Sequence, residues 1–378
     1  MHIGLIIYGS LQTPSGGYLY DRLLVRRLEE HDHRVTVVSL PWRNYLRHLG
    51  DNFDPRVQRR LLKAEVDLWL QDELNHPSLF LLNARLKASL PQVPLVSIVH
   101  HLRSDERHQR FLLPFYRAVE RRYLRSVDAF VFNSRTTRRR VAALRGKPLP
   151  PHIVAYPGGD RLHPQVTPAE VAARAHQPGP LRVLFLGNMI PRKGLHILLA
   201  ALERLTPEEA ILDVVGGEHF APAYTRRMHR LAQRPRLRGR VRFHGHLSDE
   251  ALRQHLNSAH VLAVPSQYEG FGIVYLEAMG FGLPVLAGSQ GAAWEFVTEG
   301  GNGFLLPADD RSASNHLAVH LRALHRDRDR LATMGLAALD RYRRHPGWDE
   351  SMEKIVENLP DISGLGASPL SPRSNNTT

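Results

Sequence analysis

The feature that most constrains this chain is an alternation that occurs twice. Short apolar, β-branched runs recur along it, and the stretches between them carry apolar residues at helical spacing. In the first half the runs fall at residues 2–9, 35–40, 66–70, 93–100, 129–134 and 152–157. Residues 156–179 then gather Pro157, Gly158, Gly159, Pro164, Pro168, Pro178 and Gly179, the composition of an interdomain connection. A second series follows at 181–186, 211–215, 241–244, 260–265, 284–287 and 304–306. Such alternation implies an α/β chain in which a parallel sheet carries helices on both faces, and two series imply two doubly wound units. At 378 residues the chain is long enough to bury two cores. The expected division is a first domain over 1–165, a linker over 166–180 and a second domain over 181–345, followed by a helix over 346–360. The tail 361–378, rich in Ser, Pro, Gly and Asn, reads as disordered.

Open parallel sheets bind ligands beyond the carboxyl ends of their strands, so residues at strand ends are the first candidates. The richest such stretch is PSQYEGFGIVYLEAMG at 265–280. Pro265 and Ser266 close a strand, which puts Glu269 in a loop. Ile273, Leu276, Met279 and Gly280 recur at helical spacing, so a helix is expected to open near Gly272 and to contain Glu277. Helix first turns expose unpaired N–H groups, and Gly270 and Gly272, flanking Phe271 and leading into Ile273, let an anion approach that backbone. A second strand end, GNMIPRKG at 187–194, supplies Gly187 and the cations Arg192 and Lys193. Near the N-terminus, Gly16 and Gly17 lie between a strand and a helix, a pair that is as readily an ordinary turn. His100 ends its strand and would face the mouth of the sheet. With 22 histidines in the chain, a plain rim histidine is the competing reading.

Together these motifs resemble those of a retaining nucleotide-sugar glycosyltransferase of family 4, with the GT-B fold. The resemblance rests on two glutamates separated by seven residues, Glu269 and Glu277, and on the Gly-x-x-x-x-Arg-Lys-Gly loop from Gly187 to Gly194. It implies two Rossmann-like domains facing across a cleft, the first for the acceptor and the second for the nucleotide sugar, with the last helix crossing back onto the first. By the same resemblance Glu269 and His100 would contact the donor sugar and Glu277 the ribose. The backbone from Gly270 to Ile273, with Gly16 and Gly17, would meet the diphosphate, whose charge Lys193 and Arg192 would balance. Asn188 stands where many members of the family have arginine. No cofactor, metal or side-chain nucleophile is expected, because the leaving phosphate would help to deprotonate the acceptor. The donor would be a UDP- or GDP-sugar carrying a hexose, and the acceptor a glycan, a lipid-linked group or a small molecule.

The chain has no cysteine, which excludes disulfides and thiolate chemistry. Its net charge of +13 favours an anionic partner without choosing among nucleotide sugars, phosphorylated acceptors, lipid surfaces and nucleic acid. Residues 103–147 are rich in arginine around an apolar stripe of Leu112, Tyr116, Val119, Tyr123 and Val127. That pattern suits a helix packed on the core with a solvated basic face, and the alternative is a contact with an anionic membrane surface. Nucleic acid is disfavoured, since no stacking platform or recognition motif accompanies these arginines. No apolar run is long enough to span a bilayer, and the first residues lack a basic leader. A cytoplasmic protein is expected, with peripheral contact at the inner membrane face left open. Asp327 and Asp329 read as surface charges rather than metal ligands. The rival readings are a nucleotide-sugar epimerase or phosphorylase on the same fold, and a nucleic-acid-binding protein using the 103–147 surface.

Overall fold

The computed structural model of the chain describes residues 1–106 and 111–365. It contains two six-stranded sheets, each parallel throughout. The first is built from β1 (His2–Tyr8), β2 (Arg34–Leu40), β3 (Leu68–Asp72), β4 (Leu95–Val99), β5 (Ala129–Phe132) and β6 (His152–Val154), in the order β2-β1-β3-β4-β5-β6. The second comprises β7 (Leu181–Leu186), β8 (Ala210–Val215), β9 (Val241–Gly245), β10 (Val261–Val264), β11 (Val285–Gly288) and β12 (Gly303–Leu306), ordered β12-β11-β10-β7-β8-β9. All twelve apolar runs of the sequence are strands. The central ones are buried on both faces, as a parallel sheet covered by helices requires, which is why they read as continuous rather than alternating apolar runs.

The strand orders position the site. In the first sheet the chain moves from β1 out to β2 and then returns to β3 on the other side of β1. In the second it moves from β7 through β8 to β9 and returns to β10 on the other side of β7. Each sheet therefore has a switch point, between β1 and β3 and between β7 and β10, where the connections diverge and leave a crevice. The segments after β1, β3, β7 and β10 are those carrying Gly16–Gly17, Asp72–Glu73, Gly187–Gly194 and Ser266–Gly272.

Two stretches differ from the sequence reading. Residues 166–180 carry the helix Pro168–Ala175, started by a capping box in which Thr167 and Glu170 satisfy each other's backbone N–H groups. Its Arg174 is buried and donates to the carbonyls of Phe281 and Gly282 at 2.6 and 3.1 Å, so this helix is anchored to the second sheet's layer. The proline and glycine content of the stretch masked that capping box. The last helix, Trp348–Ser363, runs through 361–363, which were expected to be disordered; the remaining expectation for 366–378 lies outside the described residues. The helix tolerates Pro360 and continues because Leu359 and Ile362 still have apolar surface to cover, and it stops at Gly364 in a left-handed conformation.

That last helix lies on the first half. Trp348, Met352, Ile355, Val356 and Leu359 share a core with Ile3, Tyr20, Leu24 and Leu28. Arg27 pairs with Asp349 at 2.7 Å at its edge. The halves also meet beside the cleft, where Glu295 accepts from the N–H groups of Arg135 and Thr136 at 3.1 and 2.6 Å and from the Tyr156 hydroxyl at 2.9 Å.

Candidate active site

A cavity of about 350 Å³ lies between the halves at the two switch points. On the second-half side it is lined by Gly187, Asn188, Arg192 and Lys193 after β7 and by Glu269 through Val274 after β10. The two loops are joined, since Gln267 N–H donates to the Arg192 carbonyl at 2.8 Å and the Arg192 guanidinium donates to the Tyr268 carbonyl at 2.7 Å. Glu269 is nearly buried and its carboxylate is the hub of the site. Lys193 Nζ and Ser266 Oγ donate to its Oε1 at 2.5 and 2.7 Å, and Arg192 lies 3.4 Å from its Oε2. Burial alone would raise the Glu269 pKa, but the Lys193 and Arg192 charges and the bonds to Lys193 and Ser266 outweigh it and hold the carboxyl at about 2. Lys193 is itself lowered by burial, with Glu269 opposing the shift.

The helix Ile273–Gly280 starts beside this cluster, with Gly272 as its cap at φ +94°, a conformation that favours glycine. No side chain caps this end, which leaves its first N–H groups without a side-chain partner next to Phe271, Gly272 and Ile273 of the cavity lining. Gly270 is required for a different reason: a methyl group there would overlap the His100 carbonyl of the other half. Gly16 and Gly17 form the opposite wall at the start of the helix Gly16–Glu30, whose N-cap is Ser15, and Gly16 approaches Ile273 across the cavity.

On the first-half side, His100 lines the cavity just beyond β4. Its Nε2 faces Asp21 Oδ1 at 3.2 Å, and its ring meets Tyr20 edge-on at 5.2 Å. Burial would lower its pKa, but the Asp21 charge and bond, with Asp72 and Glu73 beyond, push it up to about 8. His101 faces Glu106 Oε1 at 3.2 Å.

Eleven of the twelve residues proposed from sequence therefore line one cavity: Gly16, Gly17, His100, Gly187, Arg192, Lys193, Glu269, Gly270, Phe271, Gly272 and Ile273. Glu277 does not. It is buried on the helix Ile273–Gly280, where its Oε1 accepts from Arg161 Nε at 2.9 Å, and Arg161 also pairs with Asp249. Burial raises the Glu277 pKa and Arg161 opposes the rise. Asn188, the departure from arginine, accepts from Gly217 N–H at 3.2 Å and so braces the loop after β8. Among the described residues the structure places Asp72 and Glu73 at the end of β3, Asp21 behind His100 and Glu106 behind His101. Asp72 and Glu73 directly follow an apolar strand, so the strand-end rule that found His100 would have found them too. Asp327 caps the helix Arg328–Arg343 and Asp329 pairs with His176 at the surface, so neither is near the cleft.

Residues 20–161 match the family described as Glycosyltransferase Family 4, and residues 167–339 match Glycosyl transferases group 1. The chain is 30% identical over 328 residues to a GDP-mannose-dependent alpha-(1-6)-phosphatidylinositol monomannoside mannosyltransferase of Mycobacterium tuberculosis, covering 82% of this chain and 80% of the relative. It is 33% identical over 248 residues to a D-inositol 3-phosphate glycosyltransferase of Xylanimonas cellulosilytica, covering 63% of this chain and 58% of that protein. Among solved structures, HepE of Anabaena in complex with UDP superposes with a TM-score of 0.73 at 22% identity, covering 96% of this chain and all of that one. Sucrose-phosphate synthase of Thermosynechococcus elongatus gives a TM-score of 0.77 at 21% identity, covering 96% and 99%.

Proposed function

The chain belongs to glycosyltransferase family 4, retaining hexosyltransferases of the GT-B fold that use a nucleotide-sugar donor, and from that premise we propose that it moves a hexose from GDP-mannose or a related GDP- or UDP-sugar to a lipid-linked or inositol-type acceptor without a metal. The observation that carries this reading is the cluster in which Lys193 and Arg192 converge on Glu269 beside the uncapped start of the helix Ile273–Gly280. A diphosphate in the cavity would meet fixed cations and backbone N–H groups in a largely dry site, where such groups stabilise developing charge more strongly than in water. The bond between the sugar's anomeric carbon and the phosphate oxygen breaks with its electron pair leaving on the diphosphate. The acceptor oxygen bonds to the anomeric carbon on the same face, and its proton passes to the departing phosphate.

Glu269, kept ionised by its two cations, suits hydroxyl groups of a donor sugar that is gaining positive charge. His100, held by Asp21, would donate to the same sugar from the opposite wall. Glu277 would reach a ribose only by sharing or releasing Arg161, so we assign it a supporting place beside the nucleoside. GDP as the base and a lipid acceptor are favoured by the mannosyltransferase relative.

A lipid acceptor also fits the first half's surface. Trp42, Leu46, Phe53, Phe111 and Phe115 are exposed there, and Tyr45, between Trp42 and Leu46 in sequence, meets Phe115 edge-on at 6.1 Å. Among the described residues no helix is long and apolar enough to cross a membrane, so such contact would be peripheral. The test is product formation from GDP-mannose and UDP-glucose with phosphatidylinositol mannoside vesicles, using wild type, Glu269→Gln and Lys193→Ala. Retained anomeric configuration in the product, with both variants slowed by roughly 10²-fold or more, is the expected result. Unchanged turnover in both variants would sink the assignment.

A further inference from the structure

The outer edge of the second sheet carries a cluster that has no part in the cleft. Asp213 stands on β8, His244 on the edge strand β9, and His255 on the helix Asp249–Ser258 that follows it. None of the three lines the cavity. Local features bring them together. A register shift between β8 and β9 sets Val215 opposite Gly245, so His244 is the extra residue of a bulge and has no residue opposite it. Its Nε2 reaches Asp213 Oδ1 at 2.6 Å instead. The helix is capped by Ser248 and pinned by the buried Leu252 and Leu256, with which His255 shares one face. That face turns the His255 ring onto the His244 ring, with their centroids 4.3 Å apart. One ligand atom from each of the three side chains lies within 4.8 Å of the other two. All three residues are partly buried, so the cluster is open to solvent on one side. Among the described residues the His255 ring has no hydrogen-bond or ion-pair partner.

We propose that Asp213, His244 and His255 bind a divalent transition-metal ion of the zinc type, which clamps the helix Asp249–Ser258 to the ends of β8 and β9. Two imidazole nitrogens and one carboxylate oxygen form a donor set suited to such an ion, whereas Mg²⁺ and Ca²⁺ take oxygen ligands. Zinc holds these atoms at roughly 2.0–2.2 Å, which sets them roughly 3.3 Å apart in a tetrahedron. Side-chain rotation alone closes the three groups to that spacing, and water completes the coordination on the open side. The ion takes the place of the proton between His244 Nε2 and Asp213 Oδ1, and that imidazole then carries its proton on Nδ1. His255 gains the partner it lacks within the protein. The clamp also has a place in the donor half. His244 is followed by Gly245, whose carbonyl accepts from Gly216 N–H at 2.8 Å, and Gly217 N–H donates to Asn188 at 3.2 Å. An ion at this edge therefore stiffens the strand ends that brace the Gly187–Gly194 loop, and it stands apart from the transfer chemistry proposed above.

The test is calorimetric titration of Zn²⁺, and separately of Mg²⁺, into the full chain without an affinity tag, after chelator treatment and dialysis at neutral pH. Co²⁺ then serves as a spectroscopic probe, because its visible absorption reports the ligands around it. The expected result is one tight equivalent of Zn²⁺, no comparable uptake of Mg²⁺, and a Co²⁺ spectrum that Zn²⁺ abolishes by displacement. With 22 histidines in the chain, variants must locate that equivalent. His255→Ala removes a partly exposed ring, and Asp213→Asn keeps the shape and can still bond His244, so both leave the fold intact by circular dichroism. Each should weaken the tight equivalent by roughly tenfold or more. His246→Ala, which removes an exposed histidine near the cluster, should leave it unchanged. Absence of a tight equivalent in wild type, or one that survives His255→Ala or Asp213→Asn, would overturn the site. Titration of GDP and UDP into the same samples reads the transferase proposal separately, since none of these substitutions touches the cleft.

Discussion

At the scale of single residues the cleft is a set of ionisable groups whose environments pull their pKa values apart. Glu269 is held at about 2 by two cations, while Glu73, buried without one, is pushed up to about 8. The second shift has a consequence for stability. In the unfolded chain Glu73 loses its proton near pH 4.5, its ordinary value, and in the folded chain it keeps the proton to about 8. The unfolded state therefore binds fewer protons between these limits, so stability falls as pH rises from about 4.5 to about 8. Glu73→Gln removes this loss. Its melting temperature relative to wild type should be higher at pH 8 than at pH 5, measured by calorimetry in matched buffers. A gap that is constant across that range would show that Glu73 ionises normally in the folded protein.

At the scale of elements, the helices are held by what they cover. The last helix has no cap from its own N-cap residue Gly347, Asp160 Oδ1 accepting instead from Trp348 N–H at 3.0 Å, and its Ile355 and Leu359 are fully buried against the first half. Ile355→Ala should lower unfolding free energy by about 2–5 kcal/mol in urea titrations, and a change within ~0.5 kcal/mol would mean that this contact is dispensable. The same logic explains what could be read from sequence. Strands buried on both faces announce themselves as unbroken apolar runs, and the Glu269 and Lys193 loops carry glycines at spacings with a chemical reason. The helix Pro168–Ala175 was hidden because prolines at its borders resemble a linker, although its Thr167–Glu170 capping box is a local signal. Asp21 was illegible for a different cause. It sits inside a helix rather than at a strand end, and only the packing of that helix against β4's end brings it to His100. Likewise nothing in the spacing of Glu277 announces Arg161, which is far away in sequence.

At the scale of the whole molecule, two sheets with matching switch points face each other, and the cavity between them is cationic on one wall and carboxylate-rich on the other. The last helix and the Glu295 contacts tie the halves together around it. On the proposed reading a nucleotide diphosphate lies against Lys193, which is the central claim of the account. Its most direct measurement is isothermal titration of GDP and UDP into wild type and Lys193→Ala in chelator-containing buffer. The account predicts that wild type binds one of the two nucleotides at a single site, and that Lys193→Ala weakens this binding by roughly tenfold or more while leaving the fold intact. Binding of neither nucleotide, or equal affinity in the variant, would contradict it.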